Sequence, residues 1–128
     1  MLSYDPVEIA ARRDPFDFHE FASFNGAAFA VFRGTDVEAS PWEIHRDTDE
    51  WLMLLQGNVT IEILSDTDRH LIPLAAGQFT IVPRGRWHRH TKVRDVVELY
   101  YTPGETDESH ADDPRALASE NTTGRDDT

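Results

Sequence analysis

A chain of 128 residues, 39% of them hydrophobic, has the size of one ordinary domain with one core. It contains no cysteine, which excludes a disulfide framework, a thiolate zinc site and a cysteine nucleophile, so any metal must be held by nitrogen and oxygen. A formal net charge of −12 argues against nucleic acid and anionic membranes as partners, because both need a basic face to neutralise phosphate.

The N-terminal residues Met1-Leu2-Ser3-Tyr4-Asp5-Pro6 lack the basic patch and apolar run of a secretory signal, and no later stretch reaches the ~20 apolar residues of a membrane span. A cytoplasmic protein is expected. Asp5-Pro6 reads as a helix start, with Asp as N-cap and Pro at the first helical position, and predicts a short helix over Val7–Arg12. Residues 1–19 are expected to form an N-terminal segment packed along the edge of the main domain.

From Ala27 onward the pattern changes to short β-prone runs separated by turn residues, with no room for crossover helices. The runs are Ala27–Phe32, Val37–His45, Glu50–Gln56, Val59–Leu64, Leu71–Leu74, Phe79–Val82, Trp87–Val93 and Val96–Tyr101, an all-β domain over residues 20–104. Val59, Ile61 and Ile63 alternate with Thr60 and Glu62 as one buried and one wet face require, and Gly57-Asn58 supplies a hairpin turn before them. The run Trp51-Leu52-Met53-Leu54-Leu55 is apolar on both faces and needs cover on both, inside a sandwich or at a subunit contact, so a homodimer is expected. After Gly104 come eight acidic residues (Glu105, Asp107, Glu108, Asp112, Asp113, Glu120, Asp126, Asp127) against Arg115 and Arg125, a balance of −6. That composition predicts a disordered acidic tail over residues 105–128 that neither packs nor joins a site.

Two separated blocks carry chemistry. In the first, His45 is followed by Glu50 and then Gly57; in the second, Gly77 is followed by Pro83, Gly85 and His88. Gly and Pro punctuate both ends of the run Gln78–Val82 and place His88 at the start of the next strand. These blocks resemble the paired signature motifs of the cupin superfamily over roughly Ala27 to Pro103. The second motif is matched at Gly77, Pro83, Gly85 and His88, and the first at His45, Glu50 and Gly57. The chain departs from the first motif at Glu43, where a histidine is usual, and at Val37, where a glycine is expected.

The resemblance implies a single-domain cupin β-barrel (a double-stranded β-helix, or jelly roll) with a short N-terminal helix, and a divalent transition metal on His45, Glu50 and His88. Two imidazoles and a carboxylate converging on one interior point form the facial triad that suits Fe(II) and related ions, with Fe or Mn favoured and Zn or Ni as alternatives. Period-two alternation puts Glu43 on the same strand face as His45. Glu43 is therefore a further ligand, a general base beside the metal, or a surface carboxylate. His90, two residues after His88, lines the pocket or hydrogen-bonds a ligand, and with Glu43 is the candidate to move a proton. Trp42, Trp51, Trp87, Tyr100 and Tyr101 either frame a pocket or pack a core.

Cupins as a family include oxygenases, isomerases, lyases and binding proteins, so the resemblance fixes a site and not a substrate. The expected function is a metal-dependent enzyme acting on a small polar molecule, by oxygenase or other metal-assisted chemistry at a carbonyl or enol. The alternatives are a non-catalytic binding or sensing module, and a metal-free acid/base epimerase or lyase using Glu43 and Glu50 with His88.

Overall fold

In the computed structural model the described residues are 2–22 and 24–115. Helix α1 (Pro6–Ala11) starts as expected, with the Asp5 side chain accepting the Glu8 N–H at 3.2 Å. Its one buried residue, Ala10, packs against Val31 and Val97 and seats the helix on the outside of the barrel.

The strands are β1 (His19–Glu20), β2 (Ala28–Gly34), β3 (Val37–Ala39), β4 (Trp42–Ile44), β5 (Glu50–Leu64), β6 (Arg69–Ala75), β7 (Phe79–Val82), β8 (His88–Thr102) and β9 (Asp107–Ser109). All pairings are antiparallel. Strand β5 pairs with β6, β7 and β8, and β8 also takes β2, β3 and β4. The two long strands, 15 residues each, therefore hold both sides of the barrel together. The interior is filled by Phe32, Leu52, Leu54, Val59, Ile61, Ile63, Leu74, Val82, Val93 and Val96.

Several expectations from the sequence are corrected. Gly57-Asn58 is not a hairpin turn. Gly57 (φ +82°) lies inside the continuous strand β5, opposite Asp95 (φ +49°) of β8, and the register between the strands slips there. The residue is a bulge: inward-facing positions change from Leu52 and Leu54 before it to Val59, Ile61 and Ile63 after it. A side chain at Gly57 would fall against the carbonyl oxygens of Asp95 and Arg94, so only glycine fits. Trp87–Val93 and Val96–Tyr101 likewise merge into β8 across two positive-φ residues, Lys92 and Asp95. Conversely Val37–His45 divides at Ser40-Pro41, because proline has no N–H to give to the ladder.

Two faces also differ. Glu62, expected on the wet face, is buried beneath Arg69 and Arg89, each with its Nε at 2.7 Å from the carboxylate; the paired guanidinium groups offset the cost of burying that charge. The run Trp51–Leu55 buries Leu52 and Leu54 fully, whereas Trp51, Met53 and Leu55 are half-buried on the outer surface.

Nor is residues 105–128 a detached tail throughout. Strand β9 pairs with β4 (Trp42↔Ser109, Glu43↔Glu108, Ile44↔Asp107) and Ser109 and Pro114 are buried. Arg115 Nη1 donates to the carbonyl oxygens of Ser65 at 2.8 Å and Asp68 at 3.2 Å. Charge composition misled here because β4 would otherwise be an open edge, and a strand of any composition can satisfy its backbone groups. The acidic residues Glu120, Asp126 and Asp127 lie outside the described residues.

Candidate metal centre

One end of the barrel interior carries polar groups brought from three strands and one loop. Glu43 of β4 sits directly opposite His88 of β8 in the ladder. His45 follows β4, its carbonyl accepting the Gly85 N–H at 2.7 Å, so the turn between β7 and β8 fixes both histidines at once. Glu50 opens β5. His45, Glu50 and His88 are buried, at 3%, 6% and 1% exposure, and the Glu43 side chain is one-third exposed toward the pocket.

Glu50 bridges the two imidazoles. His88 Nε2 lies 3.1 Å from Glu50 Oε1, and His45 Nε2 lies 3.3 Å from Glu50 Oε2. Thr102 Oγ1 donates to Oε2 at 2.6 Å. Glu43 Oε1 stands 3.9 Å from His88 Nε2, and Glu43, His45 and His88 each offer a ligand atom within 4.8 Å of the others.

The outer nitrogens identify the tautomers. His88 Nδ1 is 3.1 Å from the Arg86 carbonyl. His45 Nδ1 is 3.3 Å from the Glu105 carbonyl and 2.9 Å from Thr106 Oγ1. A carbonyl only accepts, so both Nδ1 atoms are assigned the proton; Nε2 of His88 then either donates to Glu50 Oε1 at 3.1 Å or, with an ion between them, presents its lone pair inward. His45 Nε2 is buried and, being out of line with Glu50, has no hydrogen-bond partner.

Contacts of two Nε2 atoms with one carboxylate at 3.1 and 3.3 Å need a positive centre between them, a proton on nitrogen or a metal ion. Adjacent ligands at about 2.1 Å from an octahedral ion stand about 3 Å apart. The donor set, the spacing and the orphaned Nε2 all fit a divalent metal, and they rest on residues the sequence nominated.

The charged groups also perturb one another. Burial raises the Glu50 carboxyl, but the adjacent imidazoles outweigh it and hold Glu50 well below the usual carboxylate range. Burial lowers His45, yet Glu50 beside it and the Glu105 carbonyl raise it on balance. Glu43 is pushed up, first by burial and then by the Glu50 charge.

His90 does not join the ligand cluster. Its Nε2 is 2.8 Å from Glu98 Oε1, and although burial opposes its charge, Glu98 raises it to about 9. Of the candidate aromatics only Tyr100 lines the pocket. Trp42 and Trp87 pack with Ile44 and Leu64, Trp51 lies against Phe79, and Tyr101 against Phe24 and Phe29.

Glu98, Thr102, Glu105, Thr106 and the pocket wall formed by Phe16, Phe18 and Phe32 were missed from sequence. Even-numbered alternation through Glu98, Tyr100 and Thr102 could have found two of them. Nothing local announces the others.

Fold and site together define a class of protein: a small antiparallel β-barrel with a cluster of imidazoles and carboxylates buried at one end. The chain belongs to the cupin domain family, whose model matches residues 36–101. None of the curated proteins matches the sequence. Among solved structures it is similar to a cupin-2 domain containing protein from Shewanella frigidimarina (21% identity, TM-score 0.62, covering 76% of this chain and 89% of that one). It is similar also to the hydroquinone 1,2-dioxygenase PnpCD in complex with Cd2+ and 4-hydroxybenzonitrile (21% identity, TM-score 0.64, covering 79% and 72%). Oxalate oxidase resembles it over a shorter region (19% identity, TM-score 0.57, covering 64% of this chain and 45% of that one). At these identities the likeness is one of fold. Among the described residues no helix is long and apolar enough to cross a membrane.

Proposed function

We propose that this cupin is a metal-dependent enzyme acting on a small molecule, with one divalent ion held by His45, Glu50 and His88. The observation that carries the reading is the pair of inward Nε2 atoms, each fixed by an outer Nδ1 tied to a backbone carbonyl, facing a buried Glu50 carboxylate. A metal so held leaves coordination positions open and supplies Lewis-acid or oxygen chemistry at a carbonyl or enol oxygen. Fe or Mn suits the mixed nitrogen and oxygen donors, with Zn or Ni as alternatives.

The chain's own groups handle protons and position. Glu43, its carboxyl raised by burial and by Glu50 and its side chain facing the pocket, takes a proton from substrate as a general base. His90, charged through Glu98, faces the same space and holds a proton near the substrate oxygen. Thr102 fixes Glu50, and Glu105 and Thr106 fix His45.

A metal-free acid/base reading has one observation in its favour, the elevated Glu43 beside Glu50, and metal analysis after purification without added metal separates the two. Turnover against a panel of small acids, ketones and phenols separates either enzyme from a binding module.

A homodimer is supported by the outer face of β5 and β7, where Phe79 (56% exposed) and Ile81 (54%) flank the half-buried Trp51 and Met53. Light scattering at micromolar concentration tests it. The cytoplasm is the compartment this reading assigns.

A further inference from the structure

The centre opens into a cavity of about 680 Å³, within the range of sites that bury a drug-sized ligand and much larger than a two-carbon acid needs. Part of its wall is aromatic. Phe32, 5% exposed, forms the floor, and Phe18 stacks on it with ring centroids 4.7 Å apart and planes at 25°. Phe16 lies over the same ring at 6.2 Å and 29°. Tyr100 meets Phe18 edge-on at 5.9 Å. Phe16 and Phe18 nevertheless remain 42% and 48% exposed, so each keeps a free aromatic face.

These two rings come from the N-terminal segment, and their placement is enforced. Phe16 is held in the left-handed region (φ +62°), which is costly for an aromatic residue. Its N–H donates to the Arg33 carbonyl at 2.8 Å, and Arg33 Nε returns to the Arg13 carbonyl at 2.7 Å. Gly34 leaves room for the Phe16 ring, since a Cβ there would come within 3.0 Å of it. Two large apolar rings left half in water, one on a strained backbone, are the arrangement of a wall awaiting a ligand.

Charge narrows the ligand further. Among the described residues that line the cavity there is no lysine or arginine, while Glu43, Glu50, Glu98 and Glu108 all contribute carboxylates. His90 is already paired with Glu98 at 2.8 Å. Apart from His45 at the proposed metal, the lining presents four carboxylates against one imidazole that already pairs with a carboxylate, a balance that disfavours an anionic group.

We infer that the pocket takes a neutral molecule with a flat apolar ring and one hydroxyl or carbonyl oxygen, rather than a small dicarboxylate. The ring lies in the cradle of Phe16, Phe18, Phe32 and Tyr100, and the oxygen points to the cluster of Glu43, His45, Glu50 and His88. The placement of the oxygen rests on the proposed metal site; the ring cradle does not.

The test is calorimetric titration of 4-ethylphenol and of succinate into chelator-treated protein and into protein reloaded with Mn2+, with metal content measured on the same samples. Wild-type protein is expected to bind 4-ethylphenol in both forms, more tightly with Mn2+, and at least tenfold more tightly than succinate in the metal-free form. Phe18→Ala is expected to weaken 4-ethylphenol by about tenfold, the worth of one good aromatic contact, with metal content unchanged. Phe18→Leu, which keeps apolar bulk without a flat face, is expected to lose a few-fold. The inference is overturned if neither form binds 4-ethylphenol, if metal-free protein prefers succinate, or if Phe18→Ala leaves the affinity unchanged. Binding of 4-ethylphenol to a protein that takes up no Mn2+ would uphold the cradle and remove the metal reading; Mn2+ uptake without 4-ethylphenol binding would do the reverse.

Discussion

Removal of everything after Gly104 separates a structural account of the acidic segment from the compositional one. The deletion strips three register pairs from β4, uncovers the edge beside Trp42 and Ile44, and frees His45 Nδ1 from Glu105 and Thr106. The pairing of β9, the Arg115 hydrogen bonds and the burial of Ser109 and Pro114 hold the segment in place against its ordering entropy. A net loss of about 2 kcal/mol is expected, which in a domain of this size lowers the melting temperature by roughly 5–10 °C. The effect on the centre is larger, because loss of the groups that orient a ligating histidine weakens metal affinity by about 10–100-fold. Thermal unfolding and competition titration against a chromophoric chelator measure the two separately. Thr106→Val keeps the strand and removes only the hydroxyl, so its melting temperature is expected to hold while metal affinity falls a few-fold. A truncated protein that melts within about 2 °C of wild type and keeps its metal affinity would refute the reasoning.

Three further outcomes concern single sites. Gly57→Ala forces a Cβ against the Asp95 and Arg94 carbonyls at positive φ, and is expected to cost about 3 kcal/mol or to prevent folding, read by denaturant unfolding. Because His90 is raised from 6.5 to about 9, the stability its charge contributes is complete below about pH 6.5 and is lost as pH rises through about 9, a decline on the order of 1–3 kcal/mol. His90→Gln should flatten that slope in melting temperature against pH, and an unchanged slope would mean that His90 is not the group. Glu43→Gln keeps the size and removes the charge. Full metal occupancy with turnover reduced by two or more orders of magnitude identifies a base, whereas lost occupancy identifies a ligand.

Much of the centre was legible because its residues sit in two short blocks, each set by turn chemistry: Gly85 and Pro83 deliver His88, and the polar turn after His45 delivers Glu50. The bulge at Gly57 was written in the sequence as a change of inward parity between Leu54 and Val59, yet a Gly-Asn pair reads more readily as a turn. What could not be read came from long-range contact. Thr106 reaches His45 only because β9 closes the edge of β4, and Phe16 and Phe18 reach the cavity only because the N-terminal segment folds back onto Phe32. Composition assigned both segments to the periphery, since neither shows periodicity on its own.

The most direct test of a metal centre on His45, Glu50 and His88 is elemental analysis of tag-free protein after equilibration with Fe2+, Mn2+, Zn2+ or Ni2+ and removal of excess, with His88→Ala carried in parallel. About one ion per wild-type chain is expected, in keeping with a single cluster of two histidines and Glu50, and almost none in a His88→Ala protein that remains folded by circular dichroism. Wild-type protein that stays free of all four metals, or a folded His88→Ala protein that retains its ion, would contradict the assignment.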